Sequence, residues 1–193
     1  MAGRQAKLLT SNMVAATIKH VRNKRYPARD IVMILFSVKA GLRAGEISKL
    51  TWTMVLDANG KIGKVLELHN IAAKKLHGRS IPINMHLKKA LVKLHRLQGF
   101  PSEGNIVLSE RGDAMTPASV VKWFKSIYAE LGFKGCSSHS GRRSFVTRAA
   151  RTIHRVGGSL LDVQQLAGHR SLETTQGYIE GDSRIKHKLV ALL

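Results

Sequence analysis

Apolar residues in this chain follow a helical period along both ends and switch to short strand-like runs only between Trp52 and Ile83. One strand-like stretch between two helical ones is not the alternation of strand and helix that builds a doubly wound parallel sheet. It points to an α+β, mainly helical fold with helices around a small antiparallel sheet. Four runs read as strands: Trp52 to Leu56, Lys64 to Leu68, Ile71 to Lys74 and Arg79 to Ile83. Asn59-Gly60 and His77-Gly78 supply turn chemistry between them.

The helices are marked by their ends. Thr10 or Ser11 can cap a first short helix carrying Met13, Val14, Ile18 and Val21. Pro27 suits the first turn of the next helix, Ala28 to Ala40, which stops at Gly41. A short helix from Ala44 to Leu50 precedes the strands, and Leu87, Ala90, Leu91, Leu94 and Leu97 mark one after them. Thr116 caps a helix from Pro117 to Leu131, with Gly132 as its stop. Ser140 to Thr152, Leu160 to Leu166, Ser171 to Ile179 and Arg184 to Leu192 complete the series, with Gly157-Gly158 breaking the first two apart.

With 193 residues, 44% of them hydrophobic, the chain can bury a sizeable core as one domain or one domain plus an arm. No apolar run reaches the length of a membrane span, and no signal peptide is expected, because Met1 to Thr10 is basic and polar with no apolar run and cleavage site after it. Cys136 is the single cysteine, so no internal disulfide forms. A reducing cytoplasm fits, and the thiol is expected to be a small buried core group. Lys and Arg number 32 against 12 acids, a net charge of +20. Bases spread along the whole chain imply a folded basic surface for a polyanion, and composition alone does not separate DNA from RNA or anionic lipid; with no membrane span, no membrane partner is expected. No phosphate-binding G-x-x-x-x-G-K-[ST] loop is present, and the His and acidic residues lack metal-ligand spacing, so neither cofactor nor metal is expected.

Metal-free cleavage of a phosphodiester needs a nucleophile, cations around the transition state and an acid for the leaving oxygen. Three segments offer them: Gly41-Leu42-Arg43-Ala44-Gly45-Glu46-Ile47-Ser48-Lys49-Leu50, His139-Ser140-Gly141-Arg142-Arg143, and Leu166-Ala167-Gly168-His169 followed by Thr174-Thr175-Gln176-Gly177-Tyr178. Singly, each has a plain structural reading: a surface arginine, a cap, a core tyrosine. Together, and in this order, they resemble the tyrosine recombinases, or phage integrases. That family's pattern is an arginine at a G-L-R-x-x-E-L helix start, a hairpin lysine, an H-x-x-R pair, an L-G-H segment and a tyrosine nine residues beyond its histidine. Arg43, His139, Arg142, His169 and Tyr178 match it, over roughly residues 28–185.

The resemblance implies the roles. Tyr178 would attack the phosphate and hold DNA as a 3′-phosphotyrosine. Arg43 and Arg142 would clamp the non-bridging oxygens, which a planar fork suits. His169 would donate to the same phosphate, and His139 would help accept the tyrosine proton. Lys74 or Lys75, both ahead of Arg79-Ser80-Ile81-Pro82, would protonate the leaving 5′-oxygen; Lys74 has the commoner spacing. Glu46 reads either as a group fixing Arg43 or as a solvent-exposed acid. Lys75, Arg79 and Arg143 are expected at the DNA.

The sequence departs from the pattern at Gly141, where the family packs a leucine, and at Arg143, where it has a histidine. The layout expected is a basic segment over 1–26, too short for the family's usual second helical domain, a catalytic domain over 27–183, and a C-terminal helix over 184–193. That helix carries Ile185, Leu189, Val190, Leu192 and Leu193, and docks either on a neighbouring protomer or on its own domain. The partners implied are double-stranded DNA and further copies of the chain, a tetramer on paired sites, in a bacterial or phage-encoded, nucleoid-associated setting. Two other readings compete: a DNA-binding protein of this fold that does not recombine, and a type IB topoisomerase that relaxes DNA without paired sites.

Overall fold

The computed structural model describes residues 5–70, 72, 78–178 and 190–191. The chain divides into two compact units, residues 1–145 and 146–193, and the division falls inside one helix, Ser140–Thr152. The α+β, mainly helical class read from the periodicity is the class adopted.

The first unit is built around α2 (Pro27–Lys39), whose Val32, Met33, Ile34, Phe36 and Val38 are buried on nearly every side. Pro27 sits at its first turn, where a missing N–H leaves no bond unmade. α1 (Ser11–Val21) packs on it, capped by the Thr10 hydroxyl, which accepts from the Met13 amide. Leu9, Thr17 and Val21 are buried, so the basic N-terminal stretch contributes to this unit's core. α4 (Met85–Leu97) covers another side of α2 with Leu87, Leu91 and Leu94. α3 (Ala44–Ile47) packs against both α2 and α5 (Pro117–Glu130), the latter capped by Thr116.

β1 (Val65–Leu68) and β2 (Arg79–Pro82) pair antiparallel, with Leu68 opposite Arg79 and Val65 opposite Pro82. Leu66, Leu68 and Ile81 turn inward, as the period of two requires. The expected strand from Trp52 to Leu56 is instead a 3₁₀ turn, Trp52–Met54, closed by Met54 N–H to Thr51 O at 3.1 Å and Val55 N–H to Trp52 O at 3.0 Å. The Trp52 indole donates to Gln98 Oε1 at 2.9 Å, and that anchor fixes the turn. The expected strand over Ile71 to Lys74 lies outside the described residues except at Ala72.

α6 (Ser140–Thr152) carries the chain from the first unit into the second. There a 3₁₀ turn, Ile153–Val156, ends at Gly157 and leads to α7 (Leu160–Ala167). Ser159 and Asp162 cap α7 reciprocally, and the hydrogen bonds from Ser159 hold the Asp162 carboxyl below its usual range. α8 (Leu172–Gln176) packs on α7 and is shorter than the expected Ser171 to Ile179. Of the expected helix Arg184 to Leu192, only 190 and 191 are described. Cys136 is half-buried, not the enclosed core thiol expected. Among the described residues no helix is long and apolar enough to cross a membrane.

Candidate active site

In the first unit the site begins where α2 ends. Gly41 leaves the helix at φ +65°, a left-handed conformation that suits glycine, and any Cβ there would collide with the Phe145 ring. The turn makes Arg43 the N-cap of α3. Glu46, at the third position of that helix, reaches back: its Oε2 accepts from the Arg43 backbone N–H at 2.8 Å. Its Oε1 accepts from Arg43 Nη1 at 2.9 Å. The carboxylate is 1% exposed, so it is a buried group fixing Arg43 and not a solvated acid.

Arg142 arrives at the same turn from α6. Its side chain is buried, and Nη1 donates to the Gly41 carbonyl at 2.6 Å across 101 residues of sequence. His139, just before α6, is exposed and lines a cavity of about 300 Å³ with Arg43, Glu46, Lys49, Ala72 and Ser138. This part of the first unit therefore presents cations and an imidazole to an open cavity, a composition suited to an anionic group.

The second unit holds the other two candidates. Gly168 ends α7 at φ +60°, and the reversal aims His169 back toward α8. The His169 ring stacks on Tyr178, centroids 5.4 Å apart and planes 17° from parallel. Its Nδ1 lies 2.9 Å from Thr175 Oγ1. When the threonine hydroxyl donates this hydrogen bond to Nδ1, the imidazole carries its own proton on Nε2, the tautomer able to donate from the ring's far side. Tyr178 lies just past α8, after its C-cap Gly177; its carbonyl accepts a long 3.5 Å bond from Thr147 Oγ1, and its side chain is half-buried.

A model of the phage integrase family matches residues 7–184. The chain belongs to the phage integrase family. It is 28% identical over 155 residues to the tyrosine recombinase XerC of Xanthomonas axonopodis pv. citri (strain 306), an alignment covering 80% of this chain and 47% of that one. It is 29% identical over 157 residues to the tyrosine recombinase XerC of Pelobacter propionicus, covering 80% and 48%. The chain thus spans about half the length of the curated relatives it matches. Among solved structures, the XerA recombinase superposes with a TM-score of 0.75 at 18% identity, covering 98% of this chain and 65% of that one. The Tn1549 transposon integrase, solved in complex with transposon right end DNA, gives 0.74 at 17%, covering 97% and 66%. These structures share the fold.

Within this integrase fold the site residues read from sequence are distributed as follows. Arg43, His139 and Arg142 lie in the first unit, His169 and Tyr178 in the second. Lys74 and Lys75 lie outside the described residues. Arg79 and Arg143, expected at the DNA, have their guanidiniums engaged within the protein. Arg79 is 8% exposed, with Nη1 and Nη2 each donating to a Glu46 oxygen at 3.1 Å. Arg143 Nη1 donates to the Ala6 carbonyl. Sequence reasoning passed over Lys49 and Thr175. Thr175 stood three residues before Tyr178, a spacing that sets both on one helical face. Among the described residues no cluster of His, Cys, Asp or Glu is arranged to hold a metal.

Proposed function

We propose that this chain is the catalytic part of a site-specific recombinase that cleaves and rejoins double-stranded DNA through Tyr178. The Tyr178 oxygen attacks the scissile phosphorus and the P–O5′ bond breaks. The phenol proton passes toward His139, and the 5′-oxygen takes a proton from Lys74 (or Lys75). Arg43, Arg142 and His169 stabilise the charge on the non-bridging oxygens. The phosphotyrosine keeps the energy of the broken ester, so a second 5′-hydroxyl reverses the step without ATP, and the arginines do the charge-neutralising work of a metal. Glu46 orients Arg43, while Lys75 faces the DNA backbone.

The observation that carries this reading is the bond from buried Arg142 to the Gly41 carbonyl, which brings a second arginine to the turn that carries Arg43. The His169–Tyr178 stack supports it from the second unit. The recombinase relatives and an integrase solved on transposon DNA support DNA as the substrate. Several copies, a tetramer on paired sites, fit the need to cut and exchange four strands, and residues 184–193 would dock on a neighbouring copy. In a cell the protein would then sit with the chromosome in the cytoplasm.

The test is covalent trapping on nicked duplexes of random sequence, in EDTA, where the leaving fragment diffuses away and rejoining fails. We expect an SDS-resistant protein–DNA adduct that disappears in Tyr178→Phe. Tight DNA binding with no adduct, or an adduct lost only on chelation, would overturn the scheme.

A further inference from the structure

Two arginines share one buried carboxylate beside the candidate site. Glu46, 1% exposed, receives Arg43 from one side through its backbone amide and Nη1, and Arg79 from the other through both Nη atoms. The two cations differ in setting. Arg43 is 25% exposed and lines the cavity, whereas Arg79 is 8% exposed and belongs to strand β2. Counting charges, two guanidiniums and one carboxylate leave this triad at +1. With Arg79 present, the positive charge left over is available on Arg43, at the cavity. Without it, Glu46 and Arg43 would form a neutral pair, and the carboxylate would compete with a phosphate for the same Nη1.

We propose that Arg79 is a positioning residue for strand cleavage that acts through Glu46: it shares the carboxylate, so that Glu46 holds Arg43 in place without cancelling its positive charge. The inference rests on the recombinase reading above. The same contact fixes the start of β2 to the start of α3 across 33 residues of sequence, and β2 directly follows the segment holding Lys74 and Lys75. The electrostatics agree. Burial pushes the Glu46 carboxyl up, but the hydrogen bonds and charge of Arg79, and after them the amide and charge of Arg43, hold it below the usual carboxylate range. This differs from a DNA contact, which would place Arg79 in solvent and make it one of many salt-sensitive phosphate partners.

Arg79→Met keeps the bulk of the side chain and removes its charge; Arg79→Lys keeps the charge and loses the fork. We expect Arg79→Met to slow adduct formation on saturating nicked duplex by roughly 100-fold, the scale of a misplaced catalytic group, with DNA affinity and its salt slope unchanged. Arg79→Lys should recover part of the rate. Arg79→Met combined with Glu46→Gln should cut faster than Arg79→Met alone, because glutamine still caps the Arg43 amide but no longer neutralises the guanidinium. A merely structural role would make that double variant worse. A salt slope reduced by about one with full cleavage at saturation would make Arg79 a phosphate contact and overturn the inference. So would a double variant no faster than the single one.

The Glu46 carboxyl carbon, titrated by NMR in the DNA-free protein, gives a readout independent of cleavage. Its titration should move up in Arg79→Met, and an unmoved titration would sink the Arg79 proposal. A wild-type protein that never forms the adduct while Glu46 responds as expected would instead sink the recombinase reading.

Discussion

Glu46 shows how much one residue in this site depends on its surroundings. A carboxylate buried to 1% exposure survives as an anion only because Arg79 and Arg43 supply its hydrogen bonds and charge. Its folded pKa is lowered from 4.5, so it contributes stability that is fully present above that value and is lost as pH falls through the lower folded value. Glu46→Gln should therefore cost about 3 kcal/mol near neutral pH, because two guanidiniums lose their buried counter-charge. The gap in melting temperature between wild type and variant should narrow as the pH is taken below 4.5. A gap that stays constant down to the acid transition would mean that Glu46 contributes by shape and not by charge. Its pairing with Arg43, three positions away, was legible in the sequence, because helix geometry joins such neighbours. Its pairing with Arg79 was not, because the hairpin between them sets that meeting and a hydropathy pattern does not encode it. Arg79 and Arg143 illustrate the same limit: sequence shows that a residue is a cation, but not whether a carboxylate or a carbonyl already occupies it.

Elements were read most reliably where a cap names the boundary. Thr10, Pro27 and Thr116 each start a helix within a residue of its observed end, since each satisfies or removes an orphan N–H of the first turn. The strand expected at Trp52 failed because Thr51-Trp52-Thr53-Met54 alternates polar and apolar residues just as a half-buried strand does. What the alternation cannot reveal is a pairing partner: Thr51 bridges Asn105 and Leu56 bridges Ile62, each alone, and the backbone between closes on itself. Gly141 stands where the family usually packs a leucine, and the contact of α6 with α2 explains the glycine. A Cβ there would lie 2.8 Å from Ser37 Cβ and would overlap Ser37 Oγ, a buried hydroxyl with no hydrogen-bond partner among the described residues. Gly141→Ala gains about 1 kcal/mol of helix propensity, yet overpacking against a backbone-proximal atom costs about 1–3 kcal/mol. We expect a net loss of up to about 2 kcal/mol, read as a lower denaturation midpoint, together with slower adduct formation because Arg142 is the next residue. Ser37→Gly with Gly141→Ala should be more stable than the two single effects added, since the swap moves the glycine and clears the overlap. Simple additivity would show that the close approach of the two helices does not decide the residue at 141.

Across the whole chain, the candidate groups are shared between two units, Arg43, His139 and Arg142 in residues 1–145 and His169 and Tyr178 in 146–193. Charge is the property both units have in common. The chain carries +20, but some cations are paired with acids: Arg29 on Asp30 at 2.8 Å and Lys24 on Glu130 at 2.6 Å. The bonds from Lys24 and His20 pull the Glu130 carboxyl down to about 2, so that carboxylate stays ionised near neutral pH. Such pairs shift no charge toward a ligand, and the polyanion must be met by the remaining surface lysines and arginines. If these neutralise about six phosphates, affinity for duplex of random sequence should fall roughly a thousandfold between about 50 and 200 mM salt, with a log–log slope near −5. A cognate site should retain a preference over random sequence at the upper end of that range, because base contacts and DNA deformation do not release counterions. The measurement is a titration of labelled random duplex and of the captured cleavage site at several salt concentrations. Equal slopes with a constant offset would mean that the basic surface supplies the affinity and the site contacts supply the choice. An affinity flat in salt would mean that the excess positive charge does not face nucleic acid, and duplex DNA would then have to be given up as the substrate.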